Sequence, residues 1–324
     1  LLAAQWLLGF TTLATRASVL ASTAHVAIGA LILAATFVLT LRIFRPHRPL
    51  IQSFTHRLSA YLELTKPRLT GLAVLTALIG FFLASSGYFN AHAFLATLLG
   101  TVLLGAGAGA LNQVMEAPSD ARMSRTENRP IPSGRLTEEE GLAFGVATAV
   151  SGLLALYLGA NALTAALGAL TLISYLFIYT PLKTRSALCT LWGAIPGALP
   201  PLMGWAAARG KLDLEAWFLF AILYLWQLPH FLALAWEFRE DYARAGFKML
   251  PVLDPDGGLT FRQVVLYALA LIPVSLVPAA LGQAGWLYFG VALVSGFLFL
   301  GLGVAVAFTR SREKAHRFFL ASVL

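Results

Sequence analysis

Apolar runs of roughly 18 residues or more, each long enough to cross a ~30 Å bilayer core, recur from one end of the chain to the other. They predict membrane helices over residues 21–44, 69–88, 92–111, 141–158, 161–180, 187–207, 216–236, 263–282 and 286–308, with a further partial one from Ala315. The polar residues between them fall into two kinds of loop. Loops 86–92, 158–162 and 282–286 are short and nearly uncharged, whereas 112–140 and 237–256 are long and rich in both signs of charge. Thr137 followed by Glu140 reads as a capping box opening the span 141–158. Pro118 predicts that the helix before it kinks or ends there.

Composition agrees with this pattern. The 324 residues are 58% hydrophobic and only 12% charged, against about 25% charged in an ordinary soluble protein. The fold class predicted is an all-α polytopic membrane protein, with the lipid bilayer as its surroundings. Apart from Arg16, Arg209 and Lys211, every lysine and arginine falls on one set of loops, which the positive-inside rule assigns to the cytoplasm. The net charge of +8 is therefore a topology signal and calls for no nucleic acid. Of the 15 acidic residues, only Asp213 and Glu215 lie on the opposite side. The one cysteine, Cys189, supports neither a disulfide framework nor a cysteine-based metal site and reads as a core residue. No cleavable signal peptide is recognisable in residues 1–15, and a chain that starts with Leu1 and stops at Leu324 inside an apolar run reads as a fragment.

Chemistry concentrates in the loaded loops. In "LNQVMEAPSDARMSRTENRP", Asn112, Glu116 and Asp120 follow at intervals of four and share one helical face. Hard divalent cations such as Mg²⁺ take oxygen ligands and sit between carboxylates and a substrate's phosphates. The bland alternative is a solvated helix end. "WEFREDYARAGFKMLP" places Glu237 and Asp241 four apart, with Glu240 beside them, at the end of a second helix on the same side. Two acidic walls could hold Mg²⁺ around a bridging diphosphate. Arg122, Arg125, Arg129, Lys183 and Lys66 would grip its oxygens. Each of these cations taken alone reads more readily as an interfacial topology charge, and together with the carboxylates they read better as an anion clamp. His230, in "WQLPHF", lies inside a span, where ionisable residues are uncommon. It is either a satisfied core histidine or a functional one. Gly105, Gly107 and Gly109 in "GAGAGA" precede no Lys-Ser/Thr, so they read as close helix packing and not as a phosphate loop.

The strings "LTKPRLT", "LNQVMEAPSDARMSRTENRPIPSGRLT", "YTPLKTRSALCTLWGAIPGALPPLMGW" and "LWQLPHFLALAWEFREDYARAGFKMLPV" resemble the UbiA superfamily of intramembrane prenyltransferases, and within it the branch that farnesylates haem. The resemblance covers about residues 57–324. It implies a bundle of nine transmembrane helices, the last one cut short here, around a central cavity in the bacterial plasma (inner) membrane. It implies farnesyl diphosphate and haem B (protohaem IX) as substrates, Mg²⁺ as cofactor and haem O as product. The metal set carried over is Asn112, Glu116, Asp120, Glu237 and Asp241. The catalytic set adds His230, as porphyrin contact or proton handler, and the diphosphate set is Lys66, Arg122, Arg125, Arg129 and Lys183. Glu116 stands where Asp is more usual in the family, and Pro118 replaces an acid often found between Glu116 and Asp120. The alternatives are a quinone precursor or another tetrapyrrole as acceptor and, in another class, a transporter or channel, which would carry polar residues deep in several spans.

Residues 1–48 form an extra N-terminal membrane segment, "STAHVAIGALILAATFVLTLRIFRP" with His25 near its outer end. This segment resembles the last helix of the haem A synthase family. The resemblance implies either a plain anchor or the tail of a fused haem A synthase ahead of a prenyltransferase domain at 49–324.

Overall fold

In the computed structural model, residues 54–85, 87 and 89–323 are described; the predicted span 21–44, and His25 within it, lie outside them. The unit from Phe54 to Leu324 consists of helices joined by turns and loops, with no strand among its described residues. In chain order the helices are α1 (Phe54–Leu64), α2 (Pro67–Ala84), α3 (Ala91–Asp120), α4 (Glu138–Gly159) and α5 (Ala162–Leu182). They continue with α6 (Cys189–Arg209), α7 (Leu214–Glu237), α8 (Arg239–Arg244), α9 (Leu250–Leu253), α10 (Gly258–Ala280), α11 (Trp286–Thr309) and α12 (Arg312–Ala321).

Seven of these, α2, α3, α4, α5, α7, α10 and α11, are long and apolar enough to cross a bilayer. Their outward faces are apolar and exposed, with Leu75, Phe82, Val150, Phe297 and Leu302 among the exposed residues. That distribution suits lipid as solvent, because a helix satisfies its own backbone groups and needs no water. α6 is different. Prolines 196, 200 and 201 and its glycines lower its apolarity, and it is the most interior helix, with Cys189, Leu202, Met203 and Ala206 fully enclosed. Cys189 is thus a core residue, as its surroundings in the sequence predict.

Small residues set the close helix approaches. A Cβ on Gly204 of α6 would lie 1.7 Å from the Ala77 carbonyl oxygen of α2, so the two backbones touch there. A Cβ on Gly105 would lie 2.8 Å from Thr70, on Gly107 2.6 Å from the Ala149 nitrogen, and on Gly109 3.0 Å from the Leu64 carbonyl. The glycine run is a packing surface, in keeping with the rejection of a phosphate loop.

Three details depart from the sequence reading. α3 does not end at Pro118 but runs on to Asp120. The ring forfeits its own bond to the turn before, while Ala121 still donates to the Ala117 carbonyl at 3.1 Å. The span 161–180 is not uniformly α-helical, since Ser174–Tyr179 is a π-helical segment. The last element begins at Arg312, three residues before the predicted position, behind a Ser311 cap. The Thr137–Glu140 capping box is present in full.

Candidate active site

α3 is 30 residues long, about 45 Å at 1.5 Å per residue, as long as a bilayer with its headgroups. Asn112 lies about 32 Å from its start, where a ~30 Å hydrocarbon core gives out. The last turns of α3 therefore place a polar ladder at the rim of the bundle. Asn112, Glu116 and Asp120 are all buried, Asn112 and Asp120 completely. That removes the solvated-helix-end reading.

Each rung meets a partner from another segment. The Lys66 ammonium donates to Asn112 Oδ1 at 2.5 Å, and Asn112 Nδ2 donates to Thr180 Oγ1 at 2.9 Å. Lys183 Nζ pairs with Glu116 Oε1 at 2.6 Å, both side chains buried. Arg129 Nη1 pairs with Asp120 Oδ2 at 2.6 Å. Asp120 Oδ1 is buried and accepts no hydrogen bond among the described residues. A desolvated carboxylate oxygen without a partner is costly, and it is the kind of atom that a hard cation satisfies.

The cations are held in unusual settings. Lys66 adopts φ +48°, left-handed for a residue with a side chain, directly before Pro67. A bend there costs on the order of 1 kcal/mol, and it brings Nζ over the ladder. The π segment of α5 supplies the opposite wall. Tyr175 OH lies 3.5 Å from Lys66 Nζ, and the Tyr179 ring lies 4.5 Å from Lys183 Nζ. Lys66 and Lys183 compete for one carboxylate, and Lys183 takes it. Burial together with the Arg129 charge pushes Lys66 down to about 7. Burial works against the charge on Lys183, but the Glu116 charge and hydrogen bond together with Tyr179 and Tyr175 hold it well above the usual lysine range.

The second acidic stretch arrives by loop-on-loop packing. Arg125 Nη2 donates to Tyr242 OH at 3.3 Å and its guanidinium lies 4.8 Å from the Phe238 ring centroid. Arg244 donates to Ser124 Oγ at 2.9 Å, while Met123 packs in one cluster with Tyr242, Ala245 and Phe247. The two loaded loops thus form one cap at one end of the bundle. Asp241 is ion-paired with Arg244. Glu237 is taken up elsewhere, by His316 of α12 at 3.0 Å, and Glu240 is exposed, as are Arg122 and, despite its contacts with Phe238 and Tyr242, Arg125. His230 is buried in α7, two turns before its acidic end.

The structure adds Tyr175, Tyr179 and Thr180 to the residues picked out from the sequence. The "YT" of "YTPLK" was in view, but hydroxyls in an apolar run carry no mark of which way they point. The π segment aims them.

The UbiA prenyltransferase family profile matches residues 73–324. The chain belongs to the UbiA prenyltransferase family. It is similar to the protoheme IX farnesyltransferase of Solibacter usitatus, 51% identical over 273 residues, covering 82% of this chain and 94% of that one. The protoheme IX farnesyltransferase of Myxococcus xanthus is 47% identical, covering 78% of this chain and 85% of its own. Among solved structures, one of a digeranylgeranylglyceryl phosphate synthase aligns with a TM-score of 0.69 at 18% identity, covering 82% of this chain and 93% of that one. A UbiA homologue from Archaeoglobus fulgidus bound to DMAPP and Mg²⁺ aligns with a TM-score of 0.60 at 14% identity, covering 81% and 97%. At those identities the structures establish the UbiA fold. Lys66 lies ahead of the profile match yet reaches the ladder through its hydrogen bond to Asn112.

Proposed function

We propose that this UbiA-family enzyme transfers the farnesyl group of farnesyl diphosphate to a vinyl group of haem B, giving haem O. The observation that carries the acceptor is the 51% identity to a protoheme IX farnesyltransferase across nearly its whole length. The reaction class rests also on the buried ladder, whose acids and cations suit a metal-bound diphosphate.

No three acidic, histidine or cysteine side chains converge into a ready metal cage among the described residues. Glu116, Asp120 and Asp241 are the residues that would hold a divalent cation, Mg²⁺ in this proposal, and Asp120 Oδ1 is the atom with an acceptor site to spare. Bound there, Mg²⁺ supplies positive charge to the departing diphosphate. Asn112 positions Lys66, and Lys66, Lys183, Arg125 and Arg129 present cationic donors to the phosphate oxygens. Arg122 and Glu237 belong to the rim of this proposal, given their exposure and pairing. Breaking the C1–O bond releases diphosphate and leaves an allylic cation. The vinyl π electrons attack it, and water adds to the resulting carbocation with loss of a proton, completing the hydroxyethylfarnesyl side chain. The apolar bundle keeps water from the first cation, which is the chief service of a dry site. The charged cap faces the cytoplasm of a bacterial plasma membrane, by the lysine and arginine distribution. Residues 1–48 are proposed to be a separate membrane segment, fused to or associated with a haem A synthase.

The test is direct. Detergent-solubilised protein, haem B, farnesyl diphosphate and Mg²⁺ are incubated with and without chelator, and haem O is sought by mass spectrometry. Chelator-sensitive haem O supports the proposal. Turnover of an aromatic acceptor with none of haem overturns it.

A further inference from the structure

Asn112 holds the far end of Lys66, and the next residue of α3 holds the near end. Gln113 is fully buried. Its Nε2 donates to the Leu64 carbonyl at 3.1 Å and to the Glu63 carbonyl at 3.3 Å. Two carbonyls can only accept, so the amide nitrogen must be the atom that faces them. Those carbonyls close α1, and the chain then turns through Thr65 and the left-handed Lys66 into α2.

This joint needs holding. A residue with a side chain disfavours the left-handed region, and a following proline restricts it further. The carbonyls of the bend all find donors. Thr65 N donates to the Leu62 carbonyl at 3.1 Å, Lys66 N to the Glu63 carbonyl at 3.2 Å, and Thr70 Oγ1 to the Thr65 carbonyl at 2.7 Å. Gly109, one turn earlier on α3, lets the joint lie against the helix, since a Cβ there would come within 3.0 Å of the Leu64 carbonyl oxygen and 3.3 Å of that of Thr65. Gln113 Oε1, by contrast, is buried and accepts no hydrogen bond among the described residues. An apolar side chain of the same shape would avoid that desolvation cost. The donor end of the amide is therefore what the position uses.

We infer that Gln113 is a positioning residue: it clamps the backbone of the α1–α2 joint to α3, beside Asn112, and so keeps the Lys66 ammonium over the ladder where a diphosphate would bind. The inference rests on the diphosphate reading of the ladder and adds to it a residue that acts through Lys66. A lysine is a point charge on a flexible four-carbon stem, so a bond at its ammonium alone does not fix where it reaches from. Neighbouring residues of a helix point about 100° apart. Asn112 and Gln113 thus grip Lys66 from two sides, at the ammonium and at the backbone before it. A side chain fixed at both ends loses little further freedom on meeting a phosphate oxygen, and preorganisation of that kind strengthens binding.

The experiment titrates the full chain in detergent with inorganic diphosphate and excess Mg²⁺, read by calorimetry, and measures KM for farnesyl diphosphate beside it. Gln113→Met keeps the length of the side chain and removes its donor. It should bind diphosphate about 10-fold more weakly and raise KM by a similar factor, with kcat changed far less. Lys66→Ala should weaken binding more. Adding Gln113→Met to it should cause no further loss, because the clamp acts only through Lys66. Thr70→Val removes the donor to the Thr65 carbonyl; it should act in the same direction, be silenced in the same way, and carry the test if Gln113→Met does not fold. Equal losses from Gln113→Met with Lys66 present and absent would overturn the inference in favour of general packing. Wild-type affinity in Gln113→Met, or in Thr70→Val where only that variant folds, would overturn it outright. Lys66→Ala that binds diphosphate as wild type does would overturn the inference together with the place of Lys66 in the diphosphate site. Haem O formed by the wild type in the same preparation would leave the reaction standing in each of these cases.

Discussion

The Glu116–Lys183 pair is the most informative place to perturb the site. Its atoms are 2.6 Å apart, with side-chain exposures of only 8% and 10%. At an effective dielectric of about 20, two unit charges at that separation attract by ~6 kcal/mol. Desolvation of both groups cancels most of this gain, so replacing the pair together is close to neutral. Removing one partner strands a buried charge and costs about 3–5 kcal/mol. Lys183→Met strands Glu116, although Lys66 remains close enough to lower the penalty toward 3 kcal/mol. Glu116→Gln strands Lys183, whose cation then has only the Tyr179 ring at 4.5 Å and the Phe247 ring at 5.6 Å beside it. It should be the worse of the two. The double variant Glu116→Gln/Lys183→Met should regain at least 2 kcal/mol over either single variant and remain inactive, since it lacks both a proposed metal ligand and a proposed phosphate donor. Thermal or denaturant unfolding in detergent reads the stabilities, and haem O formation reads the activities. If the single variants were as stable as wild type, or if their costs simply added in the double, the pair would not be the desolvated ion pair described here.

Three further outcomes follow from the same geometry. Lys66, held near 7, is charged below that pH and neutral above it, so kcat/KM for farnesyl diphosphate should fall as pH rises through about 7; Lys66→Arg should flatten that limb of the profile. Asp120→Asn keeps the shape of the ladder but removes the charge behind the unpartnered Oδ1. It should cut turnover by on the order of 100-fold or more and abolish the response to added Mg²⁺, and because it also takes the charged partner from Arg129 it should lower unfolding stability by about 1–3 kcal/mol. Gly204→Ala puts a methyl 1.7 Å from the Ala77 carbonyl oxygen. Parting α2 from α6 should cost about 1–3 kcal/mol or more, measured by unfolding.

The sequence by itself determined the spans, their order and which end of the bundle carries charge, because hydrocarbon selects for apolar runs and one residue type after another reports that constraint locally. The spacing of Asn112, Glu116 and Asp120 was legible for the same reason: a helix turns every 3.6 residues, so period alone puts them on one face. Spacing did not reveal that the face is buried, nor that each rung has its own partner. Lys66 is 46 residues from Asn112 and Lys183 67 from Glu116, and no local rule joins them. The π segment of α5 was hidden for a related reason, since "SYLFIY" is as apolar as a regular helix and only its neighbours make the extra residue per turn worthwhile. Equal-looking acids were also divided by tertiary structure alone: Glu237 went to His316, five helices later in the chain, while Asp241 stayed with the cap. Charges in a membrane protein are placed by topology, and their chemistry is decided by whichever other charge the packing brings within reach.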